Sequence, residues 1–247
     1  MRALVVTPCT AGKLGNVPRP ATAEDLRDPE RRRRAEERLA SYAQPALAMY
    51  TGKHHRLVVE GVRAVRERWG EGLLDVAVLS GGYGLLDAGQ IIIPYDVTFD
   101  QFTERELAEW AAGLGIRERA AELARGYDLV FYLLSGRYLA VLGLPLEVQP
   151  VVQQIVLTDQ ESLALVPEAP HLCPLVAHGP VAARRWHVKS DHVRGFLFGR
   201  LCRQIVEHGQ VILEWLARHP EDTDLLFYKH TPWRPQFALW RTETEES

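Results

Sequence analysis

The chain has 247 residues, of which 47% are hydrophobic and 25% charged, with a net charge of -3 and a pI near 6.3. That is enough apolar material for a sizeable core in one large domain, or in one domain with an appendage. The acidic balance argues against a chain that wraps duplex DNA through global charge, while leaving room for a local basic face. The three cysteines, Cys9, Cys173 and Cys202, form no CxxC pair, and an odd count suits a reducing compartment. The first apolar run is too short for a secretory signal, and no stretch is long and uncharged enough to span a bilayer, so a cytoplasmic protein with no membrane partner is expected.

Met1 to Thr7 is a short β-branched run that predicts a first strand. It ends in Pro8-Cys9-Thr10-Ala11-Gly12-Lys13, which places a thiol, a hydroxyl and a lysine just past a strand. The spacing is not that of a Walker A loop. A thiolate gains stability from a nearby lysine, so Cys9 and Lys13 are candidates for nucleophile and acid/base, with Thr10 beside them as a substrate contact. The plainer alternative is a buried Cys9 and a solvated Lys13.

Leu14 to Arg27 is rich in proline and glycine and is read as irregular. Asp28 then caps a helix through Leu39, with Pro29 in its first turn. Its run Arg31 to Arg34 is interleaved with Glu30, Glu36 and Glu37, the pattern of a solvated helix face. Pro45 to Trp69 has helical periodicity, broken near Thr51-Gly52. His54 and His55 are adjacent and so point to different helix faces, which makes a two-histidine metal pair a poor fit.

Leu73 to Phe99 is the stretch around which the rest is organised. The run Leu73 to Leu79 is apolar throughout, as in a parallel strand covered on both faces. Ser80-Gly81-Gly82-Tyr83-Gly84 follows as a tight turn, and Ile91 to Ile93 leads into Pro94-Tyr95-Asp96. Open α/β sheets place ligands at the carboxyl ends of their strands. Tyr83 and Asp96 are therefore candidate catalytic residues, and Ser80, Gly81, Gly82 and Tyr95 candidate substrate contacts. A glycine turn that merely joins two strands is the bland alternative.

Thr103 and Glu106 form a capping box for a helical stretch that ends near Arg125, with Gly113 and Gly115 suggesting a kink or two shorter helices. Tyr127 to Leu134 predicts another covered strand, ending in Ser135-Gly136-Arg137-Tyr138, an echo of Ser80-Gly81-Gly82-Tyr83. Ser135, Gly136 and Tyr138 are read as binding the planar or anionic part of a substrate, since tyrosine rings stack on heterocycles and loop amides accept anions. The alternative is a strand-to-helix cap with Tyr138 in the core. Val148 to Leu157 predicts one more strand.

The expected organisation is an α/β domain over 1–160, a Pro-rich connector over 161–180, and a helical, basic-aromatic region over 181–247 that can also pack on the first as one domain. Six of the nine histidines lie at or after His178, at spacings that suit no ligand set. Neither metal nor cofactor is expected. Arg184, Arg185, Lys189, Lys229 and Arg234, interleaved with aromatics, are candidate nucleic-acid contacts, although a solvated helical surface has the same composition.

The stretch LSGGYGLL followed by IPYD resembles the signature of the YaaA-type proteins, which carry a Leu-Ser-Gly-x-Tyr-Gly-Leu turn and then Pro-Tyr. Cys9, Lys13, Gly136 and Tyr138 match further positions of an uncharacterised branch of that group. Pro8-Cys9-Thr10 with Lys13 is similar to a loop in the core domain of archaeosine synthase, which modifies a deazaguanine base in tRNA. The resemblance covers roughly residues 1–145 and implies an α/β fold whose business is with nucleobases or nucleic acid, with an association to peroxide stress and DNA binding. The function expected is an enzyme acting on a nucleobase, nucleotide or nucleic acid. A non-catalytic nucleic-acid-binding stress protein is the second reading.

Overall fold

The structure, a computed structural model, describes residues 1–15, 17–148 and 151–228. Two of the basic candidates, Lys229 and Arg234, lie outside the described residues, as do Gln149, His230 and the acidic terminus.

The chain runs β1 (Ala3–Pro8), α1 (Ala23–Arg27), α2 (Pro29–Leu39), β2 (Gln44–Pro45), α3 (Ala46–Met49), α4 (Lys53–Trp69), β3 (Leu74–Ser80), β4 (Gly84–Asp87) and β5 (Ile91–Ile92). It continues with α5 (Glu104–Gly113), α6 (Ile116–Ala124), β6 (Leu129–Tyr132), α7 (Gly136–Leu142), β7 (Gln153–Thr158), β8 (Leu172–Val176), α8 (Gly179–Trp186), α9 (Val193–His208), α10 (Gln210–Arg218) and α11 (Thr223–Tyr228). Six strands form one sheet in the order β4-β3-β1-β6-β7-β8, and β2 pairs with β5 separately. All neighbours in the main sheet are parallel except the β3–β4 hairpin. The protein is therefore an α/β protein with a mostly parallel mixed sheet between helices and further helices in its C-terminal part.

The apolar strand runs have a simple cause. Leu4, Val6, Val130, Tyr132 and Val156 face one core, while Ala3, Val5, Leu129, Phe131, Ile155 and Leu157 face the other. Successive residues of a strand point to opposite faces, so a strand covered on both faces must be apolar at every position. The first core receives Leu26, Leu39, Leu107, Trp110 and Leu139 from α1, α2, α5 and α7. The second receives Val58, Val62 and Val65 from α4 together with Leu197, Leu201 and Ile205 from α9. Gly61 of α4 lets Cys202 of α9 come so close that a Cβ on Gly61 would lie 2.9 Å from the Cys202 sulfur. The C-terminal helices therefore share a core with the sheet.

Two local readings need correction. Residues 161–180, read as a connector, contain β8, the edge strand of the sheet. Proline is tolerated at an edge, where one side of the strand has no ladder to lose, so Pro174 did not prevent pairing. The stretch read as irregular ends in α1, capped by Thr22 and Asp25 in a reciprocal box. The other caps fall where the sequence puts them: the Asp28 carboxylate accepts from the Arg31 amide at 2.8 Å, and Thr103 pairs with Glu106. On α2, Arg32 pairs with Glu36, and both Arg33 and Arg34 pair with Glu30, all exposed. No helix among the described residues is long and apolar enough to cross a membrane.

The strand order sets the position of the site. From β1 the chain moves to β3 on one side, then returns to β6 on the other. Loops leaving the sheet at such a reversal diverge and leave a crevice at the carboxyl ends of the strands. Cys9 is the first residue past β1, at the centre of that reversal.

Candidate active site

The loop after β1 is held on both flanks. The Cys9 amide donates to the Leu79 carbonyl of β3 at 2.8 Å. The Thr51 amide donates to the Gly12 carbonyl at 3.0 Å, and the Leu14 amide to Met49 at 2.7 Å, which ties the loop to the break between α3 and α4. The Thr10 hydroxyl donates to the Gly12 carbonyl and accepts from the Gly52 amide. It is thus engaged in holding the loop. The outcome is an isolated bridge that sets Lys13 opposite Tyr50.

Four hydroxyls and one sulfur gather above the strand ends. Cys9 Sγ lies 3.1 Å from the Tyr138 hydroxyl, brought over by the first turn of α7. Tyr95 is buried, and its hydroxyl lies 2.7 Å from Ser80 Oγ and 2.8 Å from the Tyr50 hydroxyl. The direction of these bonds follows from counting lone pairs. Ser80 Oγ accepts from the amides of Gly82 (3.3 Å) and Tyr83 (3.1 Å). A hydroxyl has two lone pairs and one hydrogen, so that hydrogen is donated to Tyr95. Tyr95 in turn donates to Tyr50, and Tyr50 ends the relay with its own hydrogen still to give.

Lys13 Nζ sits 4.3 Å from the centroid of the Tyr95 ring, in a cation–π position. Burial holds its ammonium below the usual lysine value, while negative charge on Cys9 and on Asp96 works against that shift. Asp96 itself is exposed at the rim. Burial, reinforced by a negative Cys9, pushes the Tyr50, Tyr95 and Tyr138 hydroxyls far up from their ordinary range. All three therefore stay protonated at neutral pH and act as donors. The Tyr83 hydroxyl is pushed up to about 12, burial again being the main cause.

Of the residues singled out in the sequence, the fold brings Cys9, Lys13, Ser80, Tyr95 and Tyr138 into one cluster, with Asp96 within charge reach of Lys13. Tyr83 reaches the cluster only through Tyr95: its ring meets Tyr95 edge-on at 5.4 Å and carries the Arg32 guanidinium at 5.2 Å. The two serine-to-tyrosine turns also differ in kind. Ser80 to Tyr83 belongs to a hairpin, whereas Ser135 to Tyr138 opens a helix.

Gly81 and Gly82 answer to packing. A Cβ on Gly81 would lie 2.7 Å from the Val97 carbonyl oxygen, and the Gly81 carbonyl accepts from the Trp110 indole at 2.8 Å. Gly82 lies flat against the Tyr95 ring. Gly136 has a φ of +51°, where a side chain would be strained, and its amide donates to Ser162 Oγ at 2.7 Å. Ser135 does not cap α7 with its side chain but turns to Asp159. Arg137 pins α7 down through the carbonyls of Phe99 and Phe102, which orients Tyr138.

The sequence reading missed Tyr50, which lies within a helical stripe and reads there as a core residue. Its one signal was the Thr51-Gly52 break that follows. Arg184, Arg185 and Lys189 stand exposed on the last turn of α8 and just after it, with Arg185 over the Trp186 ring. Among the described residues no group of three or more His, Cys, Asp or Glu side chains is placed to hold a metal ion. No protein-family model matches the chain, and no curated protein matches it.

Proposed function

We propose that the protein is an enzyme that modifies a nucleobase, free or within a nucleoside, nucleotide or nucleic acid, at the Cys9 centre. The observation that carries this reading is the Cys9–Tyr138 contact of 3.1 Å beside the Lys13 amine. A sulfur nucleophile, an amine that gives up its proton more readily than an ordinary lysine and a set of fixed hydroxyl donors are the parts of nucleophilic catalysis on an electrophilic ring. The half-buried Tyr138 ring beside Cys9 supplies the aromatic surface that a planar base requires. The resemblance of LSGGYGLL and IPYD to YaaA-type proteins, and of the Cys9–Lys13 loop to archaeosine synthase, points the same way.

In this reading Cys9, as the thiolate, adds through Sγ to the carbon of a ring carbon–nitrogen double bond. The π electron pair of that bond moves to the nitrogen, which takes a proton from the Lys13 ammonium. Reversal returns the proton to Lys13, re-forms the double bond and releases the thiolate. Tyr50 offers its relay hydrogen to the oxygen or nitrogen that gains charge.

The test is to digest cellular RNA and DNA from strains expressing the wild-type protein, Cys9→Ala or Lys13→Ala, and to compare nucleosides and free bases by mass spectrometry. A modified species present with wild type and lost in both variants supports the reading. Identical profiles in all three count against it.

The exposed Arg184, Arg185 and Lys189 beside Trp186 favour a second reading, a non-catalytic nucleic-acid-binding stress-response protein. Binding by such a surface weakens steeply as salt rises. Retention of binding when all three basic residues become alanine would remove it.

A further inference from the structure

The carboxyl ends of the central strands stand in register. Val6 pairs with Tyr132, and Tyr132 with Val156. Carried three residues on, this register lines up Cys9, Ser135 and Asp159 on adjacent strand ends. Strands lie about 4.8 Å apart, so Asp159 is roughly 10 Å from Cys9 along the rim. A cavity of about 620 Å³ opens there, with Ser135 and Asp159 on its wall together with Gln160, Ser190, Asp191 and Arg194. That volume is of the size that takes a small ligand.

The two halves of the rim differ in chemistry. The Cys9 half is lined with tyrosine rings, whereas the cavity has no tyrosine, phenylalanine or tryptophan in its lining and a single ring, the His178 imidazole. Its other polar groups are hydroxyls, an amide, a guanidinium and carboxylates. Arg194 is nearly buried, is paired with Asp159 at 3.4 Å and lies within charge reach of Asp191, whose carboxylate also meets His192 Nδ1 at 3.4 Å, so the lining sets three carboxylates, Asp159, Glu161 and Asp191, against one guanidinium. Asp159 is held in place by the Ser162 amide, which donates to it at 2.8 Å, and keeps 41% of its side chain exposed. Such a surface accepts hydroxyl hydrogens and repels a phosphate.

We propose that this cavity is the sugar subsite of the same active site, in which Asp159 and Ser190 receive the ribose hydroxyls of a nucleoside whose base lies against the tyrosines at Cys9. The assignment rests on the nucleobase reading above and narrows it to a nucleoside without a 5′-phosphate.

The experiment is calorimetric binding to the intact chain. The probes are the four ribonucleosides, their free bases, the 2′- and 3′-deoxy forms and the 5′-monophosphate of whichever nucleoside binds. The expected result is a ribonucleoside that binds at least about tenfold more tightly than its base, with about tenfold lost on removing a hydroxyl bonded to a carboxylate. Adding the 5′-phosphate weakens binding. Asp159→Asn reproduces the deoxy loss, as does Ser190→Ala, and the deoxy ligands report on the unaltered protein should Asp159→Asn not fold. Equal affinity for base and nucleoside, or for nucleoside and deoxynucleoside, overturns the sugar subsite and leaves the nucleobase reading standing. Tighter binding of the monophosphate also overturns it. Binding of no base and no nucleoside overturns the sugar subsite and confines the nucleobase reading to bases held within a nucleotide or nucleic acid.

Discussion

Cys9 Sγ and the Tyr138 hydroxyl, 129 residues apart in the chain, lie 3.1 Å from each other. β1 and β6 are adjacent parallel strands, and the residues that follow each meet at the point where the strand order reverses. Sulfur is a weak acceptor, so the contact adds little to stability. Tyr138→Phe is expected to change the free energy of unfolding by no more than about 1 kcal/mol. On the proposed function it is also expected to lower turnover of the nucleobase substrate about tenfold or more, since a fixed donor beside Cys9 Sγ is lost. Urea denaturation and a kcat measurement check the two halves. A large stability loss with unchanged kcat would make Tyr138 a packing residue.

Lys13 differs from the exposed Lys53 and Lys189 in lying partly buried over an aromatic ring. Because burial holds its amine below the usual lysine value of 10.5, Lys13 reaches its neutral, nucleophilic form at a lower pH than an exposed lysine. Acetylation by acetic anhydride across a pH series, read by mass spectrometry, is expected to give Lys13 a lower labelling midpoint than a free lysine side chain in a reference peptide. Equal midpoints would contradict this.

The hydroxyl relay predicts an order of stability losses. Tyr95→Phe leaves Ser80 without its acceptor and Tyr50 without its donor, while Tyr50→Phe leaves only the Tyr95 hydrogen unplaced. Each buried, unmatched polar group costs about 1–3 kcal/mol. Tyr95→Phe is therefore expected to be the more destabilising variant by chemical denaturation, and the reverse order would show that the relay runs differently.

His54 gives the protein an acid limit. Its Nδ1 accepts from the Gly195 amide at 3.2 Å, so the ring proton sits on Nε2, which faces Thr7 Oγ1 at 3.1 Å. Both nitrogens are satisfied only in the neutral ring, and burial, helped by the nearby positive Arg194, lowers its value from 6.5 to about 3. Above pH 6.5 neither folded nor unfolded His54 carries a proton. Below it the unfolded chain takes one up and the folded chain does not, so stability falls with pH. By about pH 5 the loss from His54 reaches about 2 kcal/mol, and His55, also lowered by burial, adds to it. Urea denaturation at about pH 7 and pH 5 checks the difference, and NMR of the His54 ring is expected to show no titration over that interval.

What the sequence revealed followed the strength of the local signal. The runs ending at Thr7, Leu79 and Leu134 were legible because strands covered on both faces are apolar at every position, and Asp28 and Thr103 were legible because caps act within four residues. The pairing of β8 was hidden because edge strands may carry proline and expose half their length. The β3–β4 hairpin stood only as the plainer alternative for the glycine turn, because Leu85 and Leu86 make a short run. Within the site, the glycines drew attention for the right reason and toward the wrong partner: Gly81 is small for the sake of the Val97 backbone. Tyr50 was masked because its role depends on Tyr95, 45 residues away, and no local pattern reports such a partner.

The most direct test is alkylation of the three cysteines by iodoacetamide at about pH 7, followed by mass spectrometry, in wild type and in Lys13→Met. Burial, together with the charge of Glu221, pushes the Cys173 thiol up to about 11, and burial pushes Cys202 higher still, so both stay protonated and slow. The account predicts that Cys9 is labelled at least about tenfold faster than either, and that Lys13→Met slows Cys9 alone, because the ammonium beside the sulfur is gone. Labelling of Cys9 no faster than Cys173, or a rate indifferent to Lys13, would contradict the claim that these strand ends form one reactive centre.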